Sequence, residues 1–200
     1  MGMARAQKPK QASENVTREK ILSTARELFY RDGVRAVGVD TIVAEADVAK
    51  TSLYRWFGSK DDLIASFLAN ENDAFWDQWD KVAREHEGRP LEALRAHLGW
   101  IQGYVASERF RGCPFLNVTA EFRDAEHPGR AVCRENKAEL RRRLSDLTRR
   151  LTVDDPEILA DQLLLLIDGA FANTQVLGKS GPGRALERGG NTLIDAALKG

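Results

Sequence analysis

Residues Val39–Asp62, read VDTIVAEADVAKTSLYRWFGSKDD, hold two short helical segments separated by a tight turn. Each has one apolar stripe. The first, Val39–Ala46, carries Ile42, Val43 and Ala46, and the second, Ala49–Phe57, carries Leu53 with Trp56 or Phe57. Val48 is placed to plug the angle between them, which leaves Lys50, Thr51, Ser52 and Arg55 on the open side. Helices of two turns are marginal alone, so a third must complete the core. Thr17–Tyr30 supplies it, with Ile21, Ala25, Leu28 and Phe29 recurring at three and four residues. Gly33 then suits a left-handed helix terminus. The pattern is that of a helix-turn-helix, and the partner it implies is the DNA major groove.

Local signals set the boundaries. Asp47 sits in the turn and tolerates left-handed geometry better than most residues. Ser59 is positioned to cap a long helix from Lys60 to about Glu87, whose apolar face is traced by Leu63, Ile64, Phe67, Leu68, Phe75 and Trp79. Pro90 opens another helix with Leu94, Leu98, Ile101 and Val105 facing inward. A short helix is expected over Phe115–Phe122, and a long one through Val132, Leu140, Leu144 and Leu151. Pro156 opens a further helix in which Leu163–Ile167 is apolar on every side, the mark of a helix buried on more than one face. A last helix spans roughly Pro182–Leu198. With no strand pattern and no internal repeat, the expectation is an all-α chain of about nine helices. It divides into a basic arm over 1–16, a helix-turn-helix domain over 17–60 and a larger helical body over 61–200.

Of the 200 residues 42% are hydrophobic, enough for a sizeable core, and no run approaches the ~18 apolar residues of a membrane span. The opening MGMARAQKPKQASEN lacks the apolar segment of a signal peptide, and Ala6 stands where a myristoylation signal needs Ser or Thr. Cys113 and Cys133 are the only cysteines and have no metal-like spacing, so a reduced, cytoplasmic setting is expected. The formal net charge is zero, yet residues 1–60 hold eleven Lys and Arg against seven Asp and Glu. A basic head on an acidic body would orient toward DNA.

The head strongly resembles the tetracycline-repressor family of bacterial regulators. The resemblance rests on Leu28–Phe29, Gly33, Ile42, Ala46, Val48, Lys50, Leu53, Tyr54, Phe57, Lys60 and Leu63, and covers residues 17–63. The segment Gly112–Phe122, GCPFLNVTAEF, is similar to a stretch found in one branch of the family. Two departures bear on the caps. The family usually carries Thr or Ser where Val37 and Gly38 stand, and Gly and Ser where Asp47 and Ala49 stand. Losing an N-cap hydroxyl costs about 0.5–2 kcal/mol.

A recognition helix brings its first residues to base edges, so Lys50, Thr51, Ser52 and Arg55 are the candidate readers. The resemblance assigns Tyr54 to a phosphate or a thymine methyl and Lys60 to the phosphate backbone. Lys60 also begins a helix, where free N–H groups favour an anion. Thr17 and Arg35 are further phosphate candidates. One head spans few base pairs, so a homodimer on a palindromic operator is expected, with the helix Asp161–Ala172 and the final helix as its seam. The resemblance further implies that the body holds a small-molecule effector. Phe75, Trp79, Trp100, Tyr104, Phe110, Phe115, Asn117 and Phe122 suit a mostly apolar ligand with one polar anchor.

The expected function is therefore a ligand-responsive transcriptional regulator, a repressor released by its effector. Two alternatives stand beside it. One is an all-helical enzyme or small-molecule carrier, although no catalytic or metal-binding constellation is visible. The other is a helical interaction module whose head docks protein.

Overall fold

In the computed structural model the backbone is described for residues 8–199 and the side chains from Asn15 onward. Nine α-helices order the described residues: α1 Lys8–Asp32, α2 Val39–Glu45, α3 Lys50–Phe57, α4 Lys60–Glu85, α5 Pro90–Val105, α6 Pro114–Glu121, α7 Pro128–Thr148, α8 Pro156–Leu177 and α9 Leu186–Ala197. A single 3-10 turn, Pro182–Ala185, leads into α9. The all-α architecture with an N-terminal helix-turn-helix is the one the apolar rhythm implied.

The chain forms two compact units. The first comprises the residues up to Asn70 together with Val118–Val132, and the second Glu71–Asn117 together with Cys133–Gly200. This differs from the division expected at residue 60, for a packing reason. Leu63, Ile64, Phe67 and Leu68 are all buried, and the Phe67 ring lies 5.7 Å from that of Phe29. The first turns of α4 are thus part of the head's core. The helical start also differs: α1 begins at Lys8, nine residues before the expected Thr17, because the apolar rhythm reports only the packed stretch from Ile21. Of the arm expected over 1–16, residues 1–7 lie outside the described residues.

In the first unit, α1, α2 and α3 pack on one another around Ile21, Leu28, Ile42, Ala46 and Leu53, each no more than 1% exposed. Full burial of such a side chain contributes about 1.5–3 kcal/mol. Asp47, at φ +47°, is the single non-glycine residue with positive φ among the described residues, and it makes the turn between α2 and α3. Gly33, at φ +88°, donates its N–H to the Phe29 carbonyl at 3.0 Å and closes α1. The N-caps of α2 and α3 are Gly38 and Ala49, and neither has a side-chain cap, so Asp47 does not serve as one. Ser59 caps α4: its Oγ accepts from the Asp62 N–H at 3.0 Å and donates to the Asp62 carboxylate at 2.6 Å.

In the second unit, α5, α8 and α9 form the main packing layer. Leu98, Ile101, Leu163, Ile167 and Ile194 are buried there. Close approach explains Gly190, since a Cβ at that position would stand 2.5 Å from Leu98 Cδ1. Asp155 caps α8 by accepting from the Ile158 N–H at 3.0 Å, with Pro156 in the first turn. No helix among the described residues is long and apolar enough to cross a membrane.

Candidate nucleic-acid interface

Helix α3 is anchored by Leu53 and Phe57, both buried, which turns its opposite side outward. Thr51 and Arg55 are exposed on that side with Ser52 half-exposed, Tyr54 is exposed at its edge, and Lys50 is exposed at the helix N-terminus, one turn before Leu53. Trp56, expected in the core, is only partly buried, and the Arg55 guanidinium lies 5.7 Å from its ring centroid. The Arg18 guanidinium of α1 stands over the Phe57 ring at 5.3 Å, bracing the recognition helix from behind. The candidate readers therefore occupy the outward side and the N-terminal end of a helix whose other face is locked in the core. Such a helix can enter a groove about 12 Å wide without unpacking.

Charge on this face is managed by acids that spacing alone did not reveal. Lys50 Nζ lies 2.8 Å from Asp40 Oδ1, both groups being exposed. That hydrogen bond, then the carboxylate charge, raises the Lys50 pKa. Lys20 makes a looser pair with Asp47 at 3.7 Å. Lys60, at the first turn of α4, is half-buried, and desolvation lowers its pKa while Asp61 and Glu121 oppose the shift. Arg35 is exposed in the turn between α1 and α2, and Thr17 is half-exposed on α1. Arg35 and Lys60 both come under the influence of Glu121, a residue far away in sequence that no spacing rule would have placed there.

The eight aromatic and amide candidates for effector binding do not form one set. Phe75, Trp79 and Trp100 cluster with Trp76, their ring centroids 4.9–6.4 Å apart. Tyr104 and Phe110 instead pack with Phe171. Phe115 is buried, and Asn117 donates to the Arg111 carbonyl at 3.1 Å. Phe122 belongs to the first unit, where it stacks on His127 at 3.8 Å. The physical reason is that α6 ends at Glu121, so Phe122 follows a new chain direction.

The first cluster also contains His97, for which the sequence alone implies only a structural or surface role. His97 is 1% exposed and stacks on Trp79 at 3.7 Å, and both of its ring nitrogens lack a hydrogen-bond partner. Desolvation, with smaller contributions from His86 and Arg143, lowers its pKa to about 4. A histidine among tryptophans gives no periodic signal, so it reads as ordinary core until its orphaned nitrogens are seen. Beside the cluster, the Arg143 guanidinium covers Trp76 at 4.4 Å and pairs with Asp80 and Glu139. The hydrogen bonds from Arg142 and Arg143 hold Glu139 down at about 2. A separate cleft of about 410 Å³ opens on α5 and α9, lined by Gln102, Glu187, Asn191 and Asp195 among others. It is polar, and none of the aromatic candidates lines it.

Comparison with known proteins bears on both units. Residues 21–67 match the family described as bacterial regulatory proteins, tetR family. SCO4454, a TetR-family transcriptional regulator from Streptomyces coelicolor, superposes with a TM-score of 0.85 at 28% identity, covering 93% of this chain and 97% of its own. A Streptomyces avermitilis protein (sav143), whose structure is described as that of a tetR-type transcriptional regulator, gives a TM-score of 0.78 at 34% identity, covering 90% of this chain and 97% of its own. Among curated relatives, the transcriptional regulator LmrA of Bacillus subtilis is 30% identical over 120 residues, 60% of this chain and 64% of that protein.

Proposed function

The chain belongs to the tetR family of bacterial transcriptional regulators, and from that premise we propose that it is a ligand-responsive repressor that binds a palindromic operator as a homodimer. The observation that carries this reading is the outward side and N-terminal end of α3, with Lys50, Thr51, Ser52, Tyr54 and Arg55 accessible over buried Leu53 and Phe57. Lysine and arginine donate to guanine O6 and N7, and serine or threonine to any base or to phosphate. Lys60, Arg35 and Thr17 act on the backbone, which fixes register without reading sequence.

Dimerisation is supported by a stripe on α8. Ile158, Leu165 and Val176 are 53%, 73% and 79% exposed and lie within about 20° of one another around the helix axis. Gly169 falls on the same stripe with open space where a Cβ would be. An exposed aliphatic row of this kind suits a second copy of the same helix, and two copies place two heads on one duplex.

The effector reading centres on Phe75, Trp76, Trp79 and Trp100, with His97 as the polar anchor. The ligand would be a mostly apolar, planar molecule whose hydrogen-bonding group satisfies a His97 nitrogen. Operator release by such a compound, and its loss in His97→Phe, tests this part. The DNA-binding part is tested by gel shift on duplexes retained from a random pool. Thr51→Ala, Ser52→Ala and Arg55→Ala should change sequence preference, whereas Lys60→Ala should weaken all sequences about equally. Lys60→Ala altering preference alone would contradict the assignment. A protein-docking head would instead show weak salt dependence toward DNA.

A further inference from the structure

Glu121, the last residue of α6, lies in the first unit although α6 begins at Pro114 in the second. Its carboxylate accepts two backbone N–H groups of the turn between α1 and α2: Val34 N–H on Oε1 at 3.3 Å and Arg35 N–H on Oε2 at 2.8 Å. The return contact runs the other way, the Arg35 guanidinium donating to the Glu121 carbonyl at 3.3 Å. Gly33 completes the fit. Its φ is +88°, and a Cβ there would stand 3.2 Å from Glu121 Oε1. One side chain, 86 residues further along the chain than Arg35, thus holds the three-residue turn that orients α2 and presents Arg35.

The end of α6 is fixed in turn. The Arg130 guanidinium of α7 donates to the carbonyls of Phe122 at 3.2 Å and Arg123 at 3.1 Å. His127 stacks on Phe122, accepts the Gly129 N–H on Nδ1 at 3.0 Å, and brings Nε2 to 3.4 Å from Asp61 at the start of α4. Segment 118–132 therefore holds the head by hydrogen bonds beside Arg35, and only approaches it beside Lys60, where His127 Nε2 makes no hydrogen bond. A carboxylate that accepts from two adjacent backbone donors fixes their direction, and the bond from the Arg35 N–H, at 2.8 Å, is the short, charge-assisted one.

We infer that Glu121 is a positioning residue for DNA binding: it clamps the Gly33–Arg35 turn so that Arg35 meets a phosphate, and it ties that contact to helix α6. The inference rests on the DNA-binding reading.

The test uses the full-length protein and a duplex retained by the unaltered chain from a random pool. Affinity is measured over a series of salt concentrations for Glu121→Ala, Glu121→Gln, Arg35→Ala and the Glu121→Ala/Arg35→Ala double variant, at a temperature where thermal melting shows each to be folded. Glu121→Ala is expected to lose about ten-fold in affinity. Its salt slope should flatten by about one phosphate contact, matching Arg35→Ala. Glu121→Gln should fall between, and the double variant should show no further change of slope. An unchanged slope in Glu121→Ala, with affinity lost or kept, overturns the clamp, since a merely structural role lowers the melting temperature and leaves phosphate contacts in place. Poor folding of Glu121→Ala leaves the decision to Glu121→Gln, where an unchanged slope likewise overturns it. Failure of the unaltered chain to retain any duplex overturns the DNA-binding reading, and the clamp with it.

Discussion

In the proposed binding mode Lys50 would exchange Asp40, 2.8 Å away, for a base or a phosphate. Fully exposed pairs of this kind contribute little, so the exchange costs little, but the carboxylate also repels the phosphates that flank the groove. Asp40→Asn is expected to raise affinity a few-fold on operator and non-operator duplexes alike and to steepen the salt dependence. An Asp40→Asn protein with lower affinity would show that the pair orients Lys50 for binding. His97 makes a second residue-scale prediction. Burial lowers its pKa to about 4, so between that value and its ordinary one the unfolded chain binds the extra proton. Stability must then fall as the pH drops through this window, by about 2 kcal/mol from about pH 7 to about pH 5. Urea unfolding at the two pH values should show the difference in the unaltered protein and lose it in His97→Phe. Glu139, held down at about 2 by Arg142 and Arg143, contributes in a lower window. Its stabilisation is present above the ordinary carboxylate range and is lost as the pH falls below it.

At the scale of elements, α3 and α8 do opposite things with their apolar residues. Leu53 is fully buried in the head, and Leu53→Ala should cost about 2–5 kcal/mol and abolish DNA binding through the fold. Leu165, by contrast, is 73% exposed. Leu165→Glu should leave the folded chain intact and shift sedimentation from dimer to monomer at micromolar concentration. A dimer that survives this change, and Val176→Glu with it, would place the seam elsewhere. These elements also show what was readable beforehand. The three-and-four rhythm of Ile21–Phe29, the turn at Asp47 and the Ser59 cap are local, and local chemistry writes them plainly into the chain. Segment 118–132 was not readable, because a glutamate closing a turn 86 residues back leaves no local trace. The effector candidates failed as a group for a related reason. Aromatic residues announce burial but not which of them face one another, so Phe122 was grouped with Trp79 although it stacks on His127.

For the whole molecule, the first 60 residues carry the excess of basic side chains while the full chain is neutral. Affinity should then come from the head alone, from a few phosphate contacts on each protomer, and should fall steeply with salt. The most direct measurement is selection of duplexes from a random pool by the full-length protein at low ionic strength, followed by sequencing of what is retained. Enrichment of two-fold related half-sites whose centres lie one helical turn, about 10 base pairs, or a multiple of it apart is the predicted result. Retention of no duplex, or of duplexes without any common sequence, would contradict the account.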